Sequence, residues 1–288
     1  MQTRLSVARV CIGVDLTRLG RTLSSFGLTP SLKNKRLSMS PILALLGDHH
    51  IHILAILEPM VPPDFPIFCR QLGFTLGLGN ISNKIWIFLK FGLDYTVSLD
   101  HEQVISLIVS SPNFSQPIHT SCIYAKCSTV DRRPLWDSLI TLADNYQNIP
   151  WLVGGDFNCF LSEDERSGSD TNRRLDMEEF NAAVVVCSLI DLGCSGATHH
   201  TWVKNGLFER LDRILVSPSW GDIFGKSVVS HLSRVHSDHV PLLLRASNSI
   251  HRKPAAFRFQ KMWIRHHSFL DTIRESLGML LLWYSGHV

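Results

Sequence analysis

Seven polar residues stand where apolar runs of this chain end: Glu58, Tyr124, Asp156, Asn158, Asp212, Asp238 and His239. Carboxylates and a carboxamide oxygen are hard ligands. They suit Mg2+, which takes a few carboxylates and fills its other positions with water and substrate phosphate. His239 directly follows Asp238, and a further acid stands at Asp212. A carboxylate beside an imidazole fixes the tautomer and orientation of the ring, as a positioned acid or base requires. Together these are the parts for hydrolysing a phosphodiester. A cation would offset charge on the phosphoryl oxygens, while the His–Asp pair and Asp156 handle the attacking water.

The elements that must carry these groups are legible in outline. Ile149-Pro150-Trp151-Leu152-Val153 reads as a buried strand. Gly154 and Gly155 then let the backbone leave the sheet and come close to something, because they carry no Cβ. Asp156 and Asn158 share one face of an extended chain. A solvated Gly-Gly turn is the plainer alternative. Ile51 to Leu57 is a second strand ending on Glu58, with Pro59 closing it. Further strands are expected at Lys84–Lys90, Tyr95–Leu99, Val104–Val109, His119–Ala125, Thr198–Trp202 and Arg210–Val216, with a weak one at Val7–Val14. Helical periodicity covers Pro41–Gly47, Arg132–Tyr146 and Leu175–Val186. Ser162 to Arg174 is so polar that it reads as a surface loop. Strands mixed with helices mark an α/β protein with a sandwich or open sheet at its core.

Bulk properties narrow the class. The 288 residues are 45% hydrophobic and 18% charged, enough apolar content for a real core. A formal charge of +3 permits a polyanionic partner without requiring one. Seven dispersed cysteines without a C-x-x-C pair fit reduced, mostly buried thiols of an intracellular protein, and Cys187 and Cys194 read as core fillers. Arginines interrupt every early apolar run, so no secretory signal is read, although an Arg-rich start resembles a transit peptide in composition. No run reaches the ~18 apolar residues of a membrane span.

Gly154-Gly155-Asp156-Phe157-Asn158, Arg210-Leu211-Asp212-Arg213 and Ser237-Asp238-His239, in this order, resemble the endonuclease/exonuclease/phosphatase superfamily. Tyr124-Ala125-Lys126, Arg133, Leu135-Trp136 and Thr201-Trp202 make the context similar to the endonuclease domain of plant LINE-type (non-LTR) retrotransposons. The resemblance spans roughly residues 40 to 288 and includes Phe257 to Trp263, which looks like the segment leading to a reverse transcriptase. It implies a four-layer α/β sandwich of two packed mixed β-sheets flanked by helices, and a nuclease that nicks DNA to leave a 3′-hydroxyl. It implies Mg2+, with Mn2+ as an alternative, bound by Glu58 with Asp238 beside it. Asp156 and Asn158 would position water and phosphate, His239 oriented by Asp212 would serve as acid/base, and Tyr124 would contact the phosphate. DNA is the implied partner, the nucleus the implied place, and a monomer the expected state. The domains would be a degenerate first strand in 1–40, the enzyme in 41–248, and a helical linker remnant toward a missing polymerase in 249–288.

Two positions depart from the family pattern. Its opening Asn-x-Arg-Gly aligns here with Ser24-Ser25-Phe26-Gly27, and its Tyr-x-x-Asn reads Tyr124-Ala125-Lys126-Cys127. Losing one positioning ligand costs about 10–100-fold in metal affinity or activity. Three functions therefore stay open: a Mg2+-dependent endonuclease, weakened or inactive; a catalytically dead nucleic-acid-binding module; and another phosphoesterase of the same superfamily.

Overall fold

A computed structural model describes residues 9–15, 39–169, 171–194, 200–234 and 237–247. The Ser24–Gly27 motif and the helical reading of 249–288 lie outside the described residues. The first of two six-stranded sheets has the order β14 (Lys226–His231), β15 (Leu242–Ser247), β1 (Arg9–Asp15), β2 (Ile53–Leu57), β4 (Ile85–Leu89), β3 (Leu76–Gly79). The second runs β10 (Ile190–Asp191), β13 (Asp212–Val216), β8 (Trp151–Asp156), β7 (Ile118–Tyr124), β6 (Val104–Ser110), β5 (Asp94–His101). Both are mixed: β1 pairs parallel to β15, and β7 parallel to β8, among otherwise antiparallel neighbours.

Strand alternation sorts the apolar side chains into three packed layers. Ile53, Ala55 and Leu57 of β2 and Ile85, Ile87 and Leu89 of β4 pack with Leu107, Leu152, Ile214 and Val216 of the second sheet. These form the seam between the sheets. The intervening residues Leu54, Ile56, Trp86 and Phe88 face Ile42 of α1 (Met39–Asp48) and Cys69 and Leu72 of α2 (Phe65–Leu72). On the far side, Trp151, Val153 and Leu215 meet Leu135, Trp136 and Leu139 of α3 (Thr129–Asn145) and Phe180 and Ala183 of α4 (Arg174–Val186). The result is helices, sheet, sheet, helices. Covering both faces of the central strands is why β2 and β4 are apolar throughout rather than alternating. Each such side chain contributes about 1.5–3 kcal/mol by leaving water.

Several local outcomes differ from the sequence reading. The weak first strand occupies the middle of its sheet as β1, with a bulge between Val10 and Ile12. The glycine pair does not lead the chain out of the sheet, because β8 continues to Asp156. The close approach is instead to the neighbouring strand: at Gly155 (φ +146°) a Cβ would lie 2.0 Å from the Ile123 carbonyl oxygen. The strand read at Thr198–Trp202 begins only at Trp202 among the described residues. There β11 (Trp202–Lys204) and β12 (Leu207–Glu209) form a hairpin around Asn205-Gly206, both with positive φ as such a turn requires. The polar Ser162–Arg174 loop adds a short strand, β9 (Arg166–Ser167), to that hairpin. Pro218 opens a further short helix, α5 (Pro218–Ile223). Among the described residues no helix is long and apolar enough to cross a membrane.

Candidate active site

Register decides which polar groups meet. On β7, β8 and β13, Tyr124 lies beside Asp156, and Asp156 opposite Asp212, in one row across three strands. Asp156 and Asp212 fall on the same alternation as Leu152, Ile214 and Val216, the seam-facing set. The row therefore sits at one open end of the gap between the sheets. His239 reaches the same place from the other side, three residues before β15 and bridged to Trp202. Its Nδ1 lies 2.7 Å from Oδ2 of Asp212, and its Nε2 3.9 Å from Oδ2 of Asp156. All three side chains are buried, with Asp156 and Asp212 at 0% exposure and His239 at 2%.

A carboxylate only accepts, so the His239 Nδ1–H donates to Asp212 and Nε2 is turned toward Asp156. The 3.9 Å gap on that side exceeds hydrogen-bond reach. Neighbours hold the parts still. The Thr201 hydroxyl oxygen accepts the backbone N–H groups of Leu211 and Asp212, at 3.0 and 2.9 Å. Trp202 Nε1–H donates to Asp238 at 3.2 Å, and the His239 N–H donates to Ser237 Oγ at 3.1 Å. Asn158, at φ +48°, donates its backbone N–H to Asp156 Oδ1 (2.8 Å) and its side-chain NH2 to the Ala125 carbonyl (2.6 Å).

Of the residues singled out in the sequence, Asp156, Asp212 and His239 thus come together directly. Asn158 is bonded to Asp156, Tyr124 lies one strand away in the same row, and Asp238 adjoins His239. Glu58 belongs to the first sheet. It follows β2 with φ +45°, donates its N–H to the Lys84 carbonyl at 2.8 Å, and places Oε1 3.6 Å from Lys84 Nζ. Since Arg9 pairs with Leu57, and Ile12 with both Leu242 and Ala55, Glu58 and His239 flank the start of β1 at one end of that sheet. Glu58 and Asp238 stand outside the group of Asp156, Asp212 and His239, whose ligand atoms lie within 4.8 Å of one another. This oxygen-rich, partly imidazole donor set fits a divalent cation. With Nδ1 committed to Asp212, His239 is better suited to proton transfer than to ligation.

Sequence reasoning missed a supporting tier. Arg132, 1% exposed, pairs with Asp176, which also bonds Arg173 Nε at 2.6 Å and the Thr129 hydroxyl. Burial alone would push the Asp176 carboxyl up. The hydrogen bonds from Thr129 and Arg173 and the charges of Arg132 and Arg173 outweigh that and hold it below its ordinary range. On the outer face of β13, Arg213 pairs with Glu165 (2.6 Å) and Asp191 (2.8 Å), and Arg210 with the same two acids (2.7 and 3.0 Å). This pins the polar loop through Glu165, so the loop is anchored where a solvated loop was expected. The available signal was the Ser128-x-x-Asp131 capping pattern, which starts α3 at Thr129 and so puts Arg132 on its inner face.

Comparison with solved structures gives the same architecture. The chain is similar to the endonuclease domain of the telomere-specific non-LTR retrotransposon TRAS1, with TM-score 0.54 and 14% identity over 72% of this chain and 90% of that one. It is similar to a 3′-5′ exonuclease from Neisseria meningitidis, with TM-score 0.54 and 17% identity over 71% and 92%. It also resembles a 3′ phosphatase from Neisseria bound to a product DNA hairpin, with TM-score 0.55 and 16% identity over 81% and 98%. No curated protein sequence matches. At these identities the likeness is one of fold. The family model described as Endonuclease/Exonuclease/phosphatase matches residues 26–239, and with the buried Asp156–His239–Asp212 cluster inside that span, this chain belongs to the endonuclease/exonuclease/phosphatase family.

Proposed function

We propose that the chain is a divalent-metal-dependent phosphodiester hydrolase that nicks DNA, of the non-LTR retrotransposon type. The observation that carries this reading is the buried Asp212–His239 pair at 2.7 Å, with Asp156 facing Nε2 across 3.9 Å. Asp212 holds the imidazole with its Nδ1 protonated, which leaves Nε2 able to accept a proton. A water held between Nε2 and Asp156 would lose a proton to one of them as it attacks phosphorus and displaces the 3′-oxygen. Asn158 is held at the same turn, where its amide can orient the phosphate, and Tyr124 in the next strand supplies a hydroxyl to the same row.

Glu58 and Asp238 would hold Mg2+ or Mn2+, with Asp156 nearby. When bound, the cation would neutralise charge on the phosphoryl oxygens and the leaving group. The exonuclease and phosphatase among the similar structures act at 3′ ends. A 3′-phosphorylated oligonucleotide therefore belongs in the substrate panel beside plasmid DNA. The Ser162–Arg174 loop and the segment around Lys204 to Glu209 would face DNA. A monomer acting in the nucleus is consistent with this reading.

The test is nicking of supercoiled plasmid with Mg2+ by wild type, Asp156→Ala and His239→Ala. Loss of about 10²–10⁴-fold in rate in both variants is expected. Equal nicking by all three proteins overturns the reading. Turnover of the 3′-phosphate alone reassigns the chain to end processing.

A further inference from the structure

The turn that carries Asn158 is held from beneath as well as from the site. Its φ of +48° is left-handed, a conformation that asparagine adopts more readily than other non-glycine residues and that neighbouring contacts here hold in place. The backbone N–H of Asn158 goes to Asp156, and one N–H of its side-chain amide to Ala125. Its carbonyl accepts two guanidinium donors, Arg132 Nη1 at 3.1 Å and Arg173 Nη2 at 2.9 Å. The same Arg132 nitrogen also donates to the Lys126 and Cys127 carbonyls, at 3.0 and 2.9 Å. One buried cation thus ties the chain leaving β7 to the chain leaving β8, the two segments that present Tyr124 and Asn158.

Both guanidiniums pair with Asp176 in the first turn of α4, Arg173 pairs also with Glu209 at 3.4 Å, and Thr129 at the start of α3 adds a hydroxyl to the Asp176 carboxylate. Arg173 is further fixed over the Phe160 ring, 5.2 Å from its centre. A planar fork reaches a carbonyl and a carboxylate at once, and a lysine ammonium is a single point charge that does not.

We infer that Arg132 and Arg173, both paired with Asp176, are positioning residues that hold Asn158 in its left-handed turn and so aim its amide beside Asp156. The kinetic side of this inference rests on the proposed hydrolase reading, while the structural side does not. A staple that only joined α3 to α4 would show as a loss of stability spread over both helices, with the Asn158 turn unaffected.

Three variants test it: Arg173→Lys, Asp176→Asn and Arg132→Lys. Each is followed by nicking kinetics and by hydrogen exchange at the Asn158 backbone amide in the full chain. For Arg173→Lys, kcat is expected to fall about tenfold with KM within about twofold, and the Asn158 amide to exchange about tenfold faster. Arg70→Ala, which removes an exposed cation in the last turn of α2, leaves both readouts unchanged. Should Arg132→Lys fail to fold, the other two variants carry the test. Unchanged exchange at Asn158 in Arg173→Lys and Asp176→Asn overturns the inference. Absence of nicking by the wild type would instead overturn the hydrolase reading, and exchange would still decide the positioning.

Discussion

The two faces of β13 carry buried charge in opposite ways. On the seam face, Asp212 meets Asp156 and His239, two acids around one imidazole. On the outer face, Arg213, with Arg210 just before the strand, meets Glu165 and Asp191, two cations on two acids. Successive side chains of a strand point to opposite sides, so one five-residue strand serves both clusters. The outer cluster is neutral and bonded within itself, which suits a scaffold. The inner one gathers two carboxylates around one imidazole, which suits proton transfer and ligation of a cation. Burial alone therefore does not distinguish a site from a scaffold, but charge balance does.

The largest effect that would break this contrast is on rate. His239→Ala should cost about 10²–10⁴-fold in nicking while leaving the urea midpoint close to that of wild type. A collapse of stability instead would make the inner cluster a scaffold too. Next comes Arg213→Met, which leaves Glu165 and Asp191 short of a buried counter-charge. It is expected to cost about 3–5 kcal/mol in urea unfolding. A cost under about 1 kcal/mol would show that water compensates the outer cluster.

Two histidines that are buried among the described residues extend the comparison to pH. His239 has an acid on Nδ1, whereas His119 stacks on Trp151, bonds Ser98 through Nε2, and has no hydrogen-bond partner for its Nδ1 among the described residues. Burial lowers the His119 pKa from 6.5 to about 4. Between those values the unfolded chain binds a proton that the folded chain refuses, so stability falls as pH drops through that window. The full shift is worth about 3 kcal/mol. His119→Phe should remove that part of the loss, measured as a smaller difference in urea stability between pH 7 and pH 4.5. An identical acid slope in wild type and variant would contradict a neutral His119.

The smallest effect is at the far side of the site. Lys84 is half-exposed and 3.6 Å from Glu58, so Lys84→Met should change stability by less than about 1 kcal/mol. If Glu58 binds metal, the same variant should tighten Mn2+ binding in a calorimetric titration, because an ammonium no longer competes for the carboxylate. Weaker binding would mean that Lys84 orients Glu58 rather than competing with the ion.

Much of this architecture is written along the chain. Strands covered on both faces must be apolar throughout, so Ile53–Leu57, Ile85–Leu89 and Trp151–Val153 declare themselves, and the acids that end or begin such runs stand out by contrast. That is why Asp156, Asn158, Asp212 and His239 were legible, with the family's motifs adding their order. The sequence also carried signals that were passed over. Asn205-Gly206 between short β-forming segments marks a hairpin, and Ser128-x-x-Asp131 marks a helix start three residues before the apolar periodicity does.

What the residues by themselves determined is the inventory: which strands are buried, where each ends, and which proton-transferring and oxygen-donating groups stand at those ends. Only the tertiary structure decided which of them meet. Asp212 and Asp156 are opposed because of one antiparallel register, and His239 joins them across the seam from the other sheet. Glu58 stands farther off beside Lys84, and Arg132, unremarkable in sequence, becomes the buried cation under the Asn158 turn. The physical reason is that alternation and apolar runs are local properties of the chain. Register between strands far apart in sequence, and the balance of buried charge, arise only when the two sheets close on one another.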